Sequence, residues 1–179
     1  MTYGKTGETL YVSNGRRGRE IQVTWKKPMS AKEVMNEKEF IKGISLPDLF
    51  DARYLPDRFS FPCWWWLKEE VLQSKTEVLA VEPGQTINIE PTYVEDPNVG
   101  VRPVLICEEG RGDEVFQDYE TIELFGKRWG YIGFDKLILL DEPLVKMAFN
   151  ENEENGNNYG TSDVKKYLDK WLKEKINKN

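Results

Sequence analysis

The chain contains no histidine among its 179 residues. That absence removes Ser-His-Asp and Cys-His nucleophile systems, histidine-ligated zinc, and the side chain that ordinarily senses pH near neutrality. Cysteine is nearly as scarce: Cys63 and Cys107 are too few for a zinc ribbon or a disulfide framework, and their spacing is not that of a CxxC redox pair. No apolar run approaches the roughly 18 residues that a membrane-spanning helix needs. The opening Met1-Thr2-Tyr3-Gly4-Lys5 lacks the apolar stretch and small-residue cleavage site of a secretory signal, so the expected location is the cytoplasm of the cell that makes it. What is present is a globular composition, 39 % hydrophobic, 31 % charged and 12 % aromatic with six tryptophans, on a length that suits one domain or two small joined ones.

The net charge of -6 is unevenly spread. Residues 1–46 hold nine Lys/Arg against five Asp/Glu, residues 47–160 hold ten against twenty-three, and residues 161–179 hold six against three. An acidic middle of this size disfavours nucleic acid and anionic membrane, whose phosphates need Lys/Arg contacts, and suits a basic protein surface. The Gly/Arg run Asn14 to Arg19 is the exception. Its Arg16, Arg17 and Arg19 are candidate phosphate ligands, although a solvated loop explains them as well.

Hydrophobic periodicity predicts a β-hairpin from Thr9–Val12 and Glu20–Trp25 around that loop. Ser30-Ala31-Lys32-Glu33 has the form of a capping box and predicts a helix from about Ala31 to Lys42, ended by Gly43. A short helical turn is expected within 45–59, and a buried strand over Phe61–Leu67, whose Phe-Pro-Cys-Trp-Trp-Trp-Leu has no polar side. Thr76–Val81 and Thr86–Ile89 form a second hairpin about Pro83-Gly84, and Val101–Cys107, Thr121–Phe125, Arg128–Phe134 and Leu137–Leu140 read as further strands. The polar segment Asn150–Asn158 reads as a mobile loop. After it, Thr161 or Ser162 caps a final helix with Val164, Tyr167, Leu168, Trp171, Leu172 and Ile176 on one stripe.

Three consecutive tryptophans in a strand put Trp64 and Trp66 on one face and Trp65 on the other, so both faces need covering. The functional reading of this run is an aromatic platform for a sugar, base or peptide; a central strand between packed layers explains it without one. Arg102, entering an apolar strand, should meet a carboxylate or a set of carbonyls and act as a clamp. Ser162-Asp163-Val164-Lys165 spells the Ser-x-x-Lys of acyl-transfer enzymes at a place where a helix cap is expected. Arg111-Gly112-Asp113 spells a cell-adhesion tripeptide, which we read as coincidence, and Glu69 and Glu70, as sequence neighbours, should diverge rather than act as a catalytic pair.

Cys63-Trp64-Trp65-Trp66-Leu67-Lys68 and Gly100-Val101-Arg102-Pro103-Val104-Leu105, separated by a Pro-Gly hairpin, resemble a domain of unknown function common in gut Firmicutes and their phages, with motifs Trp-Trp-Leu-Arg-Ser and Gly-Val-Arg-Pro-Ala-Leu. Gly112-Asp113, Tyr119-Glu120 and Ser162-Asp163-Val164-Lys165-Lys166-Tyr167-Leu168 are similar to elements that precede those motifs in that family, so the order here is reversed. The resemblance implies a C-type-lectin-like fold, circularly permuted, or else two units. Asp96-Pro97-Asn98 is similar to the Glu-Pro-Asn calcium loop of sugar-binding lectins, but the Trp-Asn-Asp partner strand is missing, so no metal site is expected.

These readings converge on an α+β protein with a mainly antiparallel sheet and two or three flanking helices. It forms a single domain over 1–179, or a core at 1–110 with a smaller unit at 111–179. The expected function is a non-enzymatic phage or prophage accessory protein in the bacterial host cytoplasm, without a cofactor, catalytic residues or a metal site. It would bind a host or phage protein, with a defence system such as CRISPR as a target. Glu69, Glu70, Glu95, Asp96, Glu108 and Glu109 are the expected partner-binding residues. The alternatives are a nucleotide- or sugar-sequestering protein using Arg16, Arg17, Arg19, Trp65 and Arg102, and a virion-associated receptor-binding domain.

Overall fold

The computed structural model describes residues 8–13, 20–25, 41–51, 55–84 and 86–177. Strands β1 (Glu8–Ser13) and β2 (Glu20–Trp25) pair antiparallel from Glu8↔Trp25 to Ser13↔Glu20, as their alternation predicts. Arg16, Arg17 and Arg19 lie outside the described residues, as does the predicted helix from residue 31 to residue 40. Its expected end does not hold. Ile41–Gly43 form strand β3, with Ile41 buried opposite Leu105, so cross-strand pairing overrides the local helical pattern.

Helix α1 (Leu46–Asp51) and a 3-10 turn at Asp57–Phe59 supply the short helical connection. Three strands then form one sheet in the order β4 (Trp65–Glu70), β5 (Glu77–Glu82), β6 (Asn88–Tyr93). The buried strand therefore starts at Trp65 rather than Phe61; Pro62 lies exposed in the irregular approach. Strand β6 runs further than Thr86–Ile89 suggested. Pro91 sits within it, tolerated because β6 is an edge strand that need not donate on its outer side.

A second sheet has the order β3-β7-β10-β9-β8, with β7 at Pro103–Ile106, β8 at Thr121–Leu124, β9 at Lys127–Gly133 and β10 at Lys136–Leu139. Phe125 and Gly126, both at positive φ (55° and 70°), close the β8–β9 hairpin with the backbone hand that a two-residue turn requires. Helix α2 (Arg111–Val115) lies between β7 and β8 and was not foreseen. Helix α3 (Asp163–Asn177) closes the chain as predicted, packed on β3. All named strand pairs are antiparallel, so the described residues are α+β with three α-helices. A boundary at residue 110 would sever β7 from β10, which are hydrogen-bonded in one sheet.

The two larger sheets meet at Gly100. Its amide donates to the Trp64 carbonyl at 2.7 Å and its carbonyl accepts from the Trp66 amide at 3.0 Å. A side chain there would stand 2.8 Å from Cys63 Sγ and 2.9 Å from Pro143 Cβ, so glycine is what permits the approach. The tryptophans alternate across this seam. Trp66 belongs to a core with Trp129, Tyr131, Phe149 and the α3 residues Leu168 and Trp171, against which Trp64 also packs. Trp65 belongs to a second core with Phe59, Phe61 and Ile138.

The segment Asn150–Asn158 departs from its expected character. Its polarity suggested that it buries nothing, yet Asn150 and Asn157 are both buried. Asn157 Nδ2 donates to the carbonyls of Ser74 and Glu77, each at 2.9 Å, and Asn152 caps a 3-10 turn at Glu153–Asn155. Side-chain amides that satisfy backbone groups do here what apolar side chains do elsewhere.

Candidate functional site

Several motif-like pieces resolve into structure. Ser162 Oγ accepts from the Lys165 amide at 3.0 Å and donates to the Tyr159 carbonyl at 2.7 Å, while Lys165 Nζ pairs with Asp169. Ser162 is therefore a helix cap. Gly112 is buried, and Asp113 takes the hydrogen bond of the buried Tyr131 hydroxyl. Burial, reinforced by Asp113, pushes the Tyr131 hydroxyl pKa up. Both cysteines are buried and free, and burial pushes their thiols up, Cys107 to about 12, which leaves them protonated and unreactive at neutral pH. Among the described residues, no group of three or more His, Cys, Asp or Glu side chains is placed to hold a metal ion. Asp96 Oδ1 instead accepts from the Asn98 amide at 2.9 Å, closing a local turn.

The six predicted carboxylates separate. Glu69 is half-buried, its Oε1 accepts from the Leu46 amide at 2.9 Å, and its Oε2 is buried without a partner, so it faces inward rather than toward a binding partner. Asp96 is half-buried as well. Glu108 and Glu109 are exposed but follow β7 in the five-stranded sheet. Glu70 and Glu95 are exposed at the same end of the three-stranded sheet, where Glu70 stands opposite Val78 and the Val94 amide donates to the Thr76 carbonyl.

The Asn150–Asn158 segment lies across that end. Asn158 Nδ2 donates to Glu70 Oε1 at 3.3 Å, and Glu153 sits against Glu95. The Glu153 charge, and then hydrogen bonding with its carboxyl, raises the Glu95 pKa from its ordinary value. Glu151 and Glu154 are exposed on the same segment, Glu77 stands opposite Tyr93 on the neighbouring strand, and Lys75 is a cation in the turn before it. None of Glu70, Glu95, Glu151, Glu153 and Glu154 forms a salt bridge among the described residues. Two apolar side chains stand out among these charges: Leu72, 91 % exposed, in the β4–β5 turn, and Tyr93, 62 % exposed, at the end of β6. Sequence reading missed both, although a lone leucine within a polar turn is a signal it had available.

Two alternative ligand residues come together elsewhere. A cleft of about 940 Å³ opens between the 55–61 connection and the β5–β6 turn, with Trp65 and Arg102 in its floor. Arg102 just precedes β7 and is 2 % exposed. Of its two expected kinds of partner, the structure supplies the carbonyls: Nε donates to Leu139 O at 2.8 Å and Nη2 to Phe59 O at 2.6 Å. The Phe61 and Trp65 rings pack on the guanidinium, their centroids 4.2 and 4.9 Å from its carbon. Burial pulls the Arg102 pKa down to about 9, which leaves it protonated at neutral pH.

No family model, curated protein or solved structure matches the chain. Among the described residues, no helix is long and apolar enough to cross a membrane.

Proposed function

We propose that the protein is a non-enzymatic docking protein that captures a basic macromolecular partner through the end of the β4–β5–β6 sheet. The observation that carries this reading is the set of exposed carboxylates Glu70, Glu95, Glu151, Glu153 and Glu154, none in a salt bridge among the described residues, at the sheet end that also carries the exposed Leu72 and Tyr93. A partner that brings Lys or Arg offsets the negative charge gathered there. Apolar side chains that water would otherwise hydrate give the same partner a surface to bury. The resemblance of the Trp-Trp-Trp-Leu and Gly-Val-Arg-Pro-Val-Leu segments to phage domains favours a phage or prophage accessory protein with a C-type-lectin-like fold. On that reading its partner is a component of host defence, such as a CRISPR effector, in the bacterial cytoplasm.

The test is a pull-down from bacterial lysate with the wild-type chain and with a Glu70→Lys, Glu95→Lys, Glu153→Lys variant whose fold is checked by circular dichroism. The expected result is a basic protein retained by the wild type alone. It should be released as salt rises from about 0.1 M to about 1 M, where the Debye length shrinks from about 10 Å to about 3 Å. Equal retention by both forms would place the contact elsewhere on the surface.

A further inference from the structure

The cleft over Arg102 has chemistry of its own, independent of the acidic sheet end. A guanidinium carries five N–H donors, and Leu139 and Phe59 use two of those on Arg102. The other three meet no acceptor among the described residues, and no described carboxylate forms a salt bridge with it. A buried cation without a counter-charge is costly, and the usual remedy is a carboxylate within hydrogen-bonding reach. The walls offer none at the floor: Phe59, Phe61, Trp65 and Val81 are apolar and buried, and Ile87 stands at the mouth, 40 % exposed.

We propose that this cleft binds a small monocarboxylic acid with an apolar alkyl or aryl body, its carboxylate held by the unused N–H groups of Arg102. The planar guanidinium matches a carboxylate in shape and charge. The volume is within the range of small-molecule sites, and the Phe61 and Ile87 side chains give the apolar body its contact surface. Asp57 and Glu82 at the rim set the charge limit. One buried cation compensates one negative charge, and two carboxylates nearby oppose a second, so a phosphate dianion or a nucleotide is selected against.

The experiment is calorimetric titration of the full chain, without any partner, using octanoate and 4-phenylbutyrate, the matching neutral amides, and phenyl phosphate. The acids should bind with a dissociation constant of about 1 mM or tighter, and the amides and phenyl phosphate about tenfold more weakly. Arg102→Met should abolish the preference of acid over amide. Because that variant removes a buried clamp and can fail to fold, Ile87→Trp serves as the second test: it adds bulk at an exposed lining position and leaves the Arg102 side chain itself unaltered, and should weaken the acids about tenfold with thermal unfolding unchanged. The proposal is overturned if neither acid binds at about 10 mM, if acid and amide bind equally, if phenyl phosphate binds more tightly, or if Ile87→Trp leaves acid affinity intact.

Discussion

Arg102 shows how much one charged side chain in an apolar run can reveal. Its position before Pro103-Val104-Leu105-Ile106 announces a clamp, because a guanidinium drawn into a core must find acceptors, and it finds the carbonyls of Leu139 and Phe59. Arg102→Lys keeps the charge but replaces a rigid fork with a single ammonium, which does not span both carbonyls. The expected loss is about 2–4 kcal/mol of stability, read from urea unfolding. Asp48 is the acidic counterpart. It is 1 % exposed, with Lys136 Nζ at 2.6 Å and Lys42 Nζ at 3.4 Å. Burial alone would raise its pKa, but the bonds from Lys136 and Ser45, together with the Lys42 charge, outweigh burial and leave it below 3.8. The folded state therefore holds this proton less tightly than the unfolded chain does. Its stabilisation is present above the unfolded pKa and lost as pH falls through the folded value. Asp48→Asn should lower stability at neutral pH and flatten the acid limb of a stability-against-pH curve; an unchanged limb would contradict this linkage.

At the scale of elements, legibility follows the distance over which the determining contacts act. Period-two alternation assigned Trp65 to one core and Trp64 and Trp66 to the other, because in a strand the facing of a side chain is a local property. The cap of α3 and its stripe from Val164 to Leu172 were legible for the same reason, while the side chain of Ile176 lies outside the described residues. Residues 150–158 were not, because Asn157 is held by carbonyls 80 and 83 positions away, and composition alone does not record them. Glu69 misled in the same way: its amide partner at Leu46 is 23 positions distant. Asn157→Ala should cost about 1–3 kcal/mol, since it leaves the Ser74 carbonyl without its donor and the Glu77 carbonyl with the Val71 amide alone. Hydrogen exchange should quicken across 150–158 first, and unchanged protection there would show that the segment is held by other means. The loss of that segment would also withdraw Glu153 from Glu95, so the same variant should weaken partner capture.

Among the described residues, the two larger sheets join at a seam with no room for a side chain at Gly100. Gly100→Ala forces a methyl group against Cys63 Sγ, Pro143 and the Trp64 carbonyl, and should destabilise the fold by about 1–3 kcal/mol in thermal or urea unfolding. The charge asymmetry is also a property at this scale: the acidic excess of residues 47–160 was visible in the sequence, but the meeting of Glu70, Glu95, Glu151, Glu153 and Glu154 at one sheet end depends on the turn after β4, the end of β6 and the 150–158 segment being brought together. The most direct test of that surface as the docking site is a photo-crosslinking amino acid placed at Tyr93 in cells, with Phe134, 59 % exposed on the other sheet, as the control position. The account predicts a crosslinked basic protein from position 93, lost when Glu70, Glu95 and Glu153 are reversed in charge, and none from position 134. Crosslinks of equal yield from both positions, or from 134 alone, would contradict it.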